Sequence, residues 1–275
     1  MAGAGVLGCV LIVSVAVARW VAGRRAVRDP HGLGRQLAGL LGGATLAGVA
    51  WFAGPHHELI LAMAPLAGSC WLVGLIVAER GRERLAAGPL RVAGLGPRTV
   101  GGVVSRHAVA AMRGTFVATG ALAGLAIVMA SDRDPRSYTQ SCVDGTVAGH
   151  GPWPGAPYAV PALVGLALGW VLAEWAIRCV VGRPPGAGRQ AADSARRILA
   201  ARTAVTAAVL LALPTLAALL VAMGAGVHGA CPTGGENALA LGMLWSGGLL
   251  AMASAGGWVA ALLSGGRSVV PRVLE

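Results

Sequence analysis

Lysine is missing altogether: all 22 basic residues are arginine. That excludes a retinal or substrate Schiff base, a phosphate-loop lysine and a lysine general base. Charge of either sign is scarce, at 12% of residues, where a soluble domain carries about 25%. Aromatic residues make up only 4%. No basic–aromatic surface exists on which bases could stack, so the net charge of +11 does not point to nucleic acid. Several chemical signatures are also missing. There is no Cys-x-x-Cys, no H-E-x-x-H, no paired-aspartate motif of prenyl or phospholipid transferases, no phosphatase Ser-Gly-His box and no Glu-Glu-x-x-x-Arg protease motif. Ser246, in Trp245-Ser-Gly-Gly, has no histidine in a later apolar run to act as its base. The glycine-rich segments lie in apolar runs and are not phosphate loops.

What is present is apolar length. Hydrophobic residues make up 56% of the 275-residue chain, and they gather into seven runs: residues 4–22, 36–53, 58–78, 114–130, 158–181, 203–223 and 238–263. Each is about 20 residues, which at 1.5 Å per residue matches a hydrocarbon core of about 30 Å. The chain is expected to be all-α: a polytopic transmembrane helical bundle of about seven spans, forming one integral-membrane domain over residues 1–275. Twenty of the 22 arginines fall in alternate connections or at the span ends beside them; only Arg133 and Arg136 fall in the others. By the positive-inside rule the N-terminus is outside and the C-terminus cytoplasmic, which makes this a multi-pass protein of the plasma membrane. No arginine precedes the first run, whereas Arg24, Arg25 and Arg28 follow it, the reverse of a secretory signal. Cys9 ends a lipoprotein-like VLGC string but precedes most of the apolar run, and is read as a helix-packing residue.

Glycines four apart, Gly39 and Gly43, Gly120 and Gly124, Gly165 and Gly169, predict close helix contacts. Pro65 and Pro214 predict kinks within the third and sixth spans, the freed carbonyls being re-satisfied by neighbouring groups. The segment 131–157 reads as a packed irregular loop. Residues 193–202 read as a short helix ahead of the sixth span.

An internal repeat is legible at an offset of 89 residues, segment 105–145 against 194–234. Ser105, Arg113, Cys142 and Gly145 fall on Ser194, Arg202, Cys231 and Gly234. Each copy runs from arginines through an apolar span to a cysteine on the far side. Cys142 and Cys231 are therefore expected to pair in a disulfide in the oxidising compartment. Such a bond closes a loop of about 90 residues, worth about 4–5 kcal/mol on the chain-entropy model. Cys70 and Cys179 are expected to stay reduced.

His56, His57 and Glu58 sit at the outer end of the third span, and His150 and His228 in outer connections. Imidazole with carboxylate suits zinc or copper; a turn among headgroups that must stay wet accounts for the same residues. Glu174 is the one acid placed inside a span, with Arg178 four residues on, the spacing of a helical ion pair. The span centres otherwise lack charge, which argues against a proton relay or a voltage sensor. No cofactor is implied. Arginines on the inner connections would attract anionic headgroups of the bilayer or dock an acidic cytosolic or membrane partner.

In its arginine-only basicity, composition and loop style, over its whole length, the chain resembles uncharacterised polytopic membrane proteins of high-GC actinobacteria. The resemblance implies a membrane location and no activity. Three functions stay open: a non-catalytic membrane component that binds or regulates a partner, which the missing catalytic groups favour; a small-solute or lipid transporter, which kinked spans and a polar cavity near Thr119, Thr206, Thr215 or Ser254 would favour; and a membrane enzyme or metal site at the outer face.

Overall fold

A computed structural model describes residues 59–85, 103–142, 147–151, 153–182, 190–230 and 235–264. A 3-10 turn, Ile60–Ala62, leads into helix α1, Met63–Leu85. Then come α2, Arg106–Val128; a hairpin of β1, Tyr138–Ser141, and β2, Val147–His150; α3, Ala156–Gly182; α4, Gln190–Ala230; and α5, Gly235–Ser264. All five helices are long and apolar enough to cross a membrane. The expected spans at 4–22 and 36–53 lie outside the described residues, as do residues 54–57 and the first residue of the third span, Glu58.

Helix α4 is the axis. Its 41 residues extend about 60 Å, twice the hydrocarbon thickness of a bilayer, and it packs on each of the other four helices. The short helix expected at 193–202 and the sixth span are one continuous element. Neither glycine nor proline interrupts the chain between Gln190 and Leu213, so nothing there stops helix propagation. The helix also runs on through Pro214.

Small residues let the other helices approach the axis. Leu211 of α4 is fully buried, and the Cα positions of Gly68 on α1 and Gly169 on α3 face it from two sides. A Cβ at either glycine would lie 2.6 Å from a Leu211 carbon. Gly165 sits against Pro65 in the same way, with 3.0 Å between a built Cβ and the ring. Along α5, Gly247 faces Ala217 and Val221, Gly257 faces Leu210, and Gly224 of α4 faces Ala240 and Leu244. This register makes α4 and α5 antiparallel neighbours. The expectation for Gly165 and Gly169 thus holds, whereas Gly120 and Gly124 of α2 do not serve close packing. A Cβ at Gly120 would only graze Leu163 at 3.9 Å, and one at Gly124 would meet nothing within 4 Å.

Pro65 does not interrupt a helix. It is the third residue of α1, in the first turn, where proline is tolerated. Its missing N–H would have served the carbonyl of Leu61. That carbonyl instead accepts from Thr215 Oγ1 of α4 at 3.4 Å, so a neighbouring hydroxyl covers the freed oxygen.

Helix α2 starts eight residues ahead of the expected span. Ser105 caps it, its side chain accepting from the Ala108 N–H, which satisfies one orphan donor. In the ramp that follows, Val109 and Met112 are buried while Arg106, His107 and Arg113 are exposed. The first two turns are thereby amphipathic and continue into the apolar run. Ser194, the counterpart of Ser105 in the repeat, lies inside α4 instead.

The segment expected to be an irregular loop contains the antiparallel hairpin, with Tyr138 opposite His150 and Ser141 opposite Val147. Behind it Trp153 is 1% exposed. Its indole N–H donates to the Ala126 carbonyl at 2.7 Å. Its ring stacks on Tyr138 at 4.7 Å, and its edge fills the space left by Gly226. Gly155 turns the chain into α3; a Cβ there would sit 1.9 Å from the Pro135 carbonyl oxygen, so no larger residue fits. Trp153 therefore pins the hairpin between the ends of α2 and α4.

Large apolar side chains stand on the outside of the bundle as well as in its core. Val128, Val164, Val171, Trp245, Leu249 and Met252 are all exposed. Water would penalise so much exposed apolar surface; hydrocarbon would not.

Candidate functional site

The described arginines of the helices collect at one end of the bundle and the hairpin marks the other. Arg80 is near the end of α1, Arg106 and Arg113 at the start of α2, Arg178 near the end of α3, and Arg197 and Arg202 in the first part of α4. At this arginine end Glu174 has a different partner from the one expected. Arg113 Nε donates to Glu174 Oε1 at 2.7 Å, joining α2 to α3, and no ion pair with Arg178 forms among the described residues. The four-residue spacing offered Arg178, but that side chain is exposed and α2 brings Arg113 onto the carboxylate from the neighbouring helix. The Glu174 side chain is 18% exposed and that of Arg113 52%, so the pair sits at the rim and is partly screened. On the next residue along α3, Arg80 lies over the Trp175 ring, 4.7 Å from its centroid, a cation–π contact. Glu79 beside it is buried and engaged. Nothing in the spacing of Arg113 and Glu174, 61 residues apart, signals their pairing; only helix packing does.

At the hairpin end, Cys142 follows β1 and is disulfide-bonded. Cys70 and Cys179 are free. Cys9 and Cys231 lie outside the described residues. His150 lies on β2 and His228 is exposed in the last turn of α4. Both strands pack on α4, so the two histidines share this end. His56, His57 and Glu58 lie outside the described residues. Among the described residues no group of three or more His, Cys, Asp or Glu converges that could hold a metal ion.

Midway between the ends, a groove of about 600 Å³ opens between α1, α4 and α5. Its walls include Ala64, Ala67, Pro214, Ala218, Ser254 and Trp258. It is not the polar cavity that Thr119, Thr206, Thr215 and Ser254 were expected to line. Thr119 is buried and donates to the Thr115 carbonyl at 2.7 Å, Thr215 is used on Leu61, and Thr206 is exposed. Only Ser254 reaches the groove. It is 3% exposed, and its hydroxyl makes no hydrogen bond among the described residues. The groove was not legible in the sequence. Its one advance signal is a serine in an apolar run with small residues around it, and that is common.

No protein-family model matches the chain, and neither the curated proteins nor the solved structures yield a match.

Proposed function

We propose that this protein is a non-catalytic component of the plasma membrane. The arginine end lies in the cytoplasm as a docking face for anionic headgroups and an acidic partner, and the hairpin end lies outside. Two further spans, at 4–22 and 36–53, complete a seven-span chain with its N-terminus outside. One observation carries the reading: the segregation of chemistry. The buried polar side chains among the described residues are Ser69, Glu79, Thr119, Thr215 and Ser254, and the two threonines are spent on backbone carbonyls, of Thr115 and Leu61. The arginines of the helices gather instead at one end, where the positive-inside rule puts the cytosol. On this reading Cys142 pairs with Cys231, because both belong to the connections assigned outside, whereas Cys9 belongs to the first span.

Photo-cross-linking in intact cells tests the docking role. A cross-linking residue at Arg106 or Arg202 is expected to give discrete protein or anionic-lipid adducts, and one at Asp132 none of the same kind. Adducts confined to Asp132, or none at Arg106 and Arg202, would overturn it. The groove favours a second reading, movement of a lipid-soluble molecule, over transport of a polar solute, because its walls offer hydrocarbon and one hydroxyl.

A further inference from the structure

The groove between α1, α4 and α5 has a depth, a wall chemistry and one unmet demand. Its depth follows from the α4–α5 register. Gly247 lies against Ala217 and Val221, and Gly257 against Leu210, so Ser254 falls level with Pro214. Pro214 stands near the middle of the apolar stretch Arg197–His228, and α1 brings Ala64 and Ala67 to the same level. Glycerolipid headgroups and ester carbonyls lie about 15 Å away, at the edge of a core about 30 Å thick. A polar group that meets Ser254 must therefore belong to a molecule that is itself soluble in the hydrocarbon.

The demand is the Ser254 hydroxyl. Thr115, Thr119 and Thr203 each donate to the carbonyl four residues back, at 2.7–2.9 Å, the usual solution for a hydroxyl on an apolar helix. Ser254 does not, although it is 3% exposed and the groove is open in front of it. A buried hydroxyl without a partner is costly in an apolar medium. The wall chemistry supplies the rest. Trp258 lines the groove four residues beyond Ser254 and is backed by Trp71, ring centroids 5.1 Å apart. That offers an aromatic face beside a hydrogen-bond donor, over a floor of alanines that leaves room for a chain. The volume lies within the range of about 300–1,000 Å³ of small-molecule sites.

We propose that this groove binds a membrane quinone, an uncharged planar ring on an apolar tail, with a ring carbonyl accepting from the Ser254 hydroxyl, the ring against Trp258 and the tail along Ala64, Ala67 and Ala218. A plain acyl chain would leave the hydroxyl unmet and the indole face unused. The site is independent of the docking role of the arginine end.

The test is a titration of the purified full chain in nanodiscs of synthetic phosphatidylcholine free of quinone, using a decyl-tailed benzoquinone and tryptophan emission. Quenching is expected to saturate. Trp258→Phe removes most of the saturable part, Ser254→Ala weakens it about 2- to 13-fold, the equivalent of one neutral hydrogen bond, and Ala255→Phe, which fills the groove, abolishes it. Decanol, with the chain and no ring, is expected not to compete. Quenching that rises linearly, as for partitioning into lipid, would overturn the proposal, as would the same midpoint in Ser254→Ala or equal competition by decanol. Ser254→Ala removes a single oxygen and keeps the packing, so the test holds even where Ala255→Phe fails to fold.

Discussion

The junction at Leu211 gives the packing account its sharpest test, because two glycines meet different atoms of one side chain. At Gly169 an added Cβ lies 2.6 and 2.9 Å from the two terminal methyls of Leu211 and 3.4 Å from its Cγ. At Gly68 it lies 2.6 Å from Leu211 Cβ and 2.8 Å from Cγ. Optimal carbon separations are about 3.5–4.0 Å, so each substitution intrudes by roughly 1 Å. Methyls can rotate away; a Cβ is fixed to the backbone. Gly169→Ala should therefore cost about 1 kcal/mol and Gly68→Ala about 2–3 kcal/mol, the upper part of the overpacking range. Leu211→Ala alone opens a cavity worth about 2–5 kcal/mol. Combined, Leu211→Ala removes every atom that Gly169→Ala strikes, so that pair should couple favourably by at least about 1 kcal/mol. With Gly68→Ala the relief is partial, since Leu211→Ala leaves the offending Cβ in place. Gly124→Ala is the control: it meets nothing within 4 Å and should be neutral or stabilise by up to about 1 kcal/mol, from helix propensity. Reversible unfolding in mixed micelles, followed by far-ultraviolet circular dichroism, measures all of these. If Gly68→Ala proves as harmless as Gly124→Ala, or Leu211→Ala rescues both glycine variants equally, the helix contacts described at this junction are wrong.

Three other outcomes follow from single contacts. A double-mutant cycle on Arg113→Ala and Glu174→Ala should give a coupling of about 0.5 kcal/mol, reduced by the exposure of Arg113, while the cycle with Arg178→Ala gives none; the same unfolding assay reads both. Trp153→Phe keeps the stack on Tyr138 but strips the Ala126 carbonyl of its donor, and should destabilise by about 1–2 kcal/mol. Trp153→Ala should cost about 3–5 kcal/mol, and hydrogen exchange should show the hairpin amides losing protection first. Thr215→Val leaves the Leu61 carbonyl uncovered and should cost about 0.6–1.7 kcal/mol, the range for interhelical hydrogen bonds in membranes.

How far the residues alone foretell this molecule depends on whether a feature is local. The apolar runs at 58–78, 114–130, 158–181, 203–223 and 238–263 became helices, because their length and composition act within each segment. The cap at Ser105 and the continuity of α4 across 190–213 are also local, yet both fell in polar ramps where hydropathy has no contrast to offer. The hairpin was missed for a related reason: YTQS and VAGH are short and weakly alternating, and Trp153, beyond the second strand, is what holds them. Glycine spacing alone could not tell Gly165 and Gly169, which press on Pro65 and Leu211, from Gly120, which only grazes Leu163, and Gly124, which faces open space. Pairing of Glu174 with Arg113 rather than Arg178 depends on which helix lies alongside α3, and the groove at Ser254 on three helices at once. Features built across elements leave no mark in a single segment.

The central claim is that lipid surrounds these helices and that the arginine end and the hairpin end face opposite compartments. Labelling of single cysteines in intact cells with a membrane-impermeant maleimide tests it directly, with Arg106→Cys and Asp132→Cys introduced separately after Cys9, Cys70 and Cys179 are replaced by alanine. Asp132→Cys should react in intact cells and Arg106→Cys only after permeabilisation. Reaction of both from the same side, or recovery of the chain in the soluble fraction without detergent, would contradict the account.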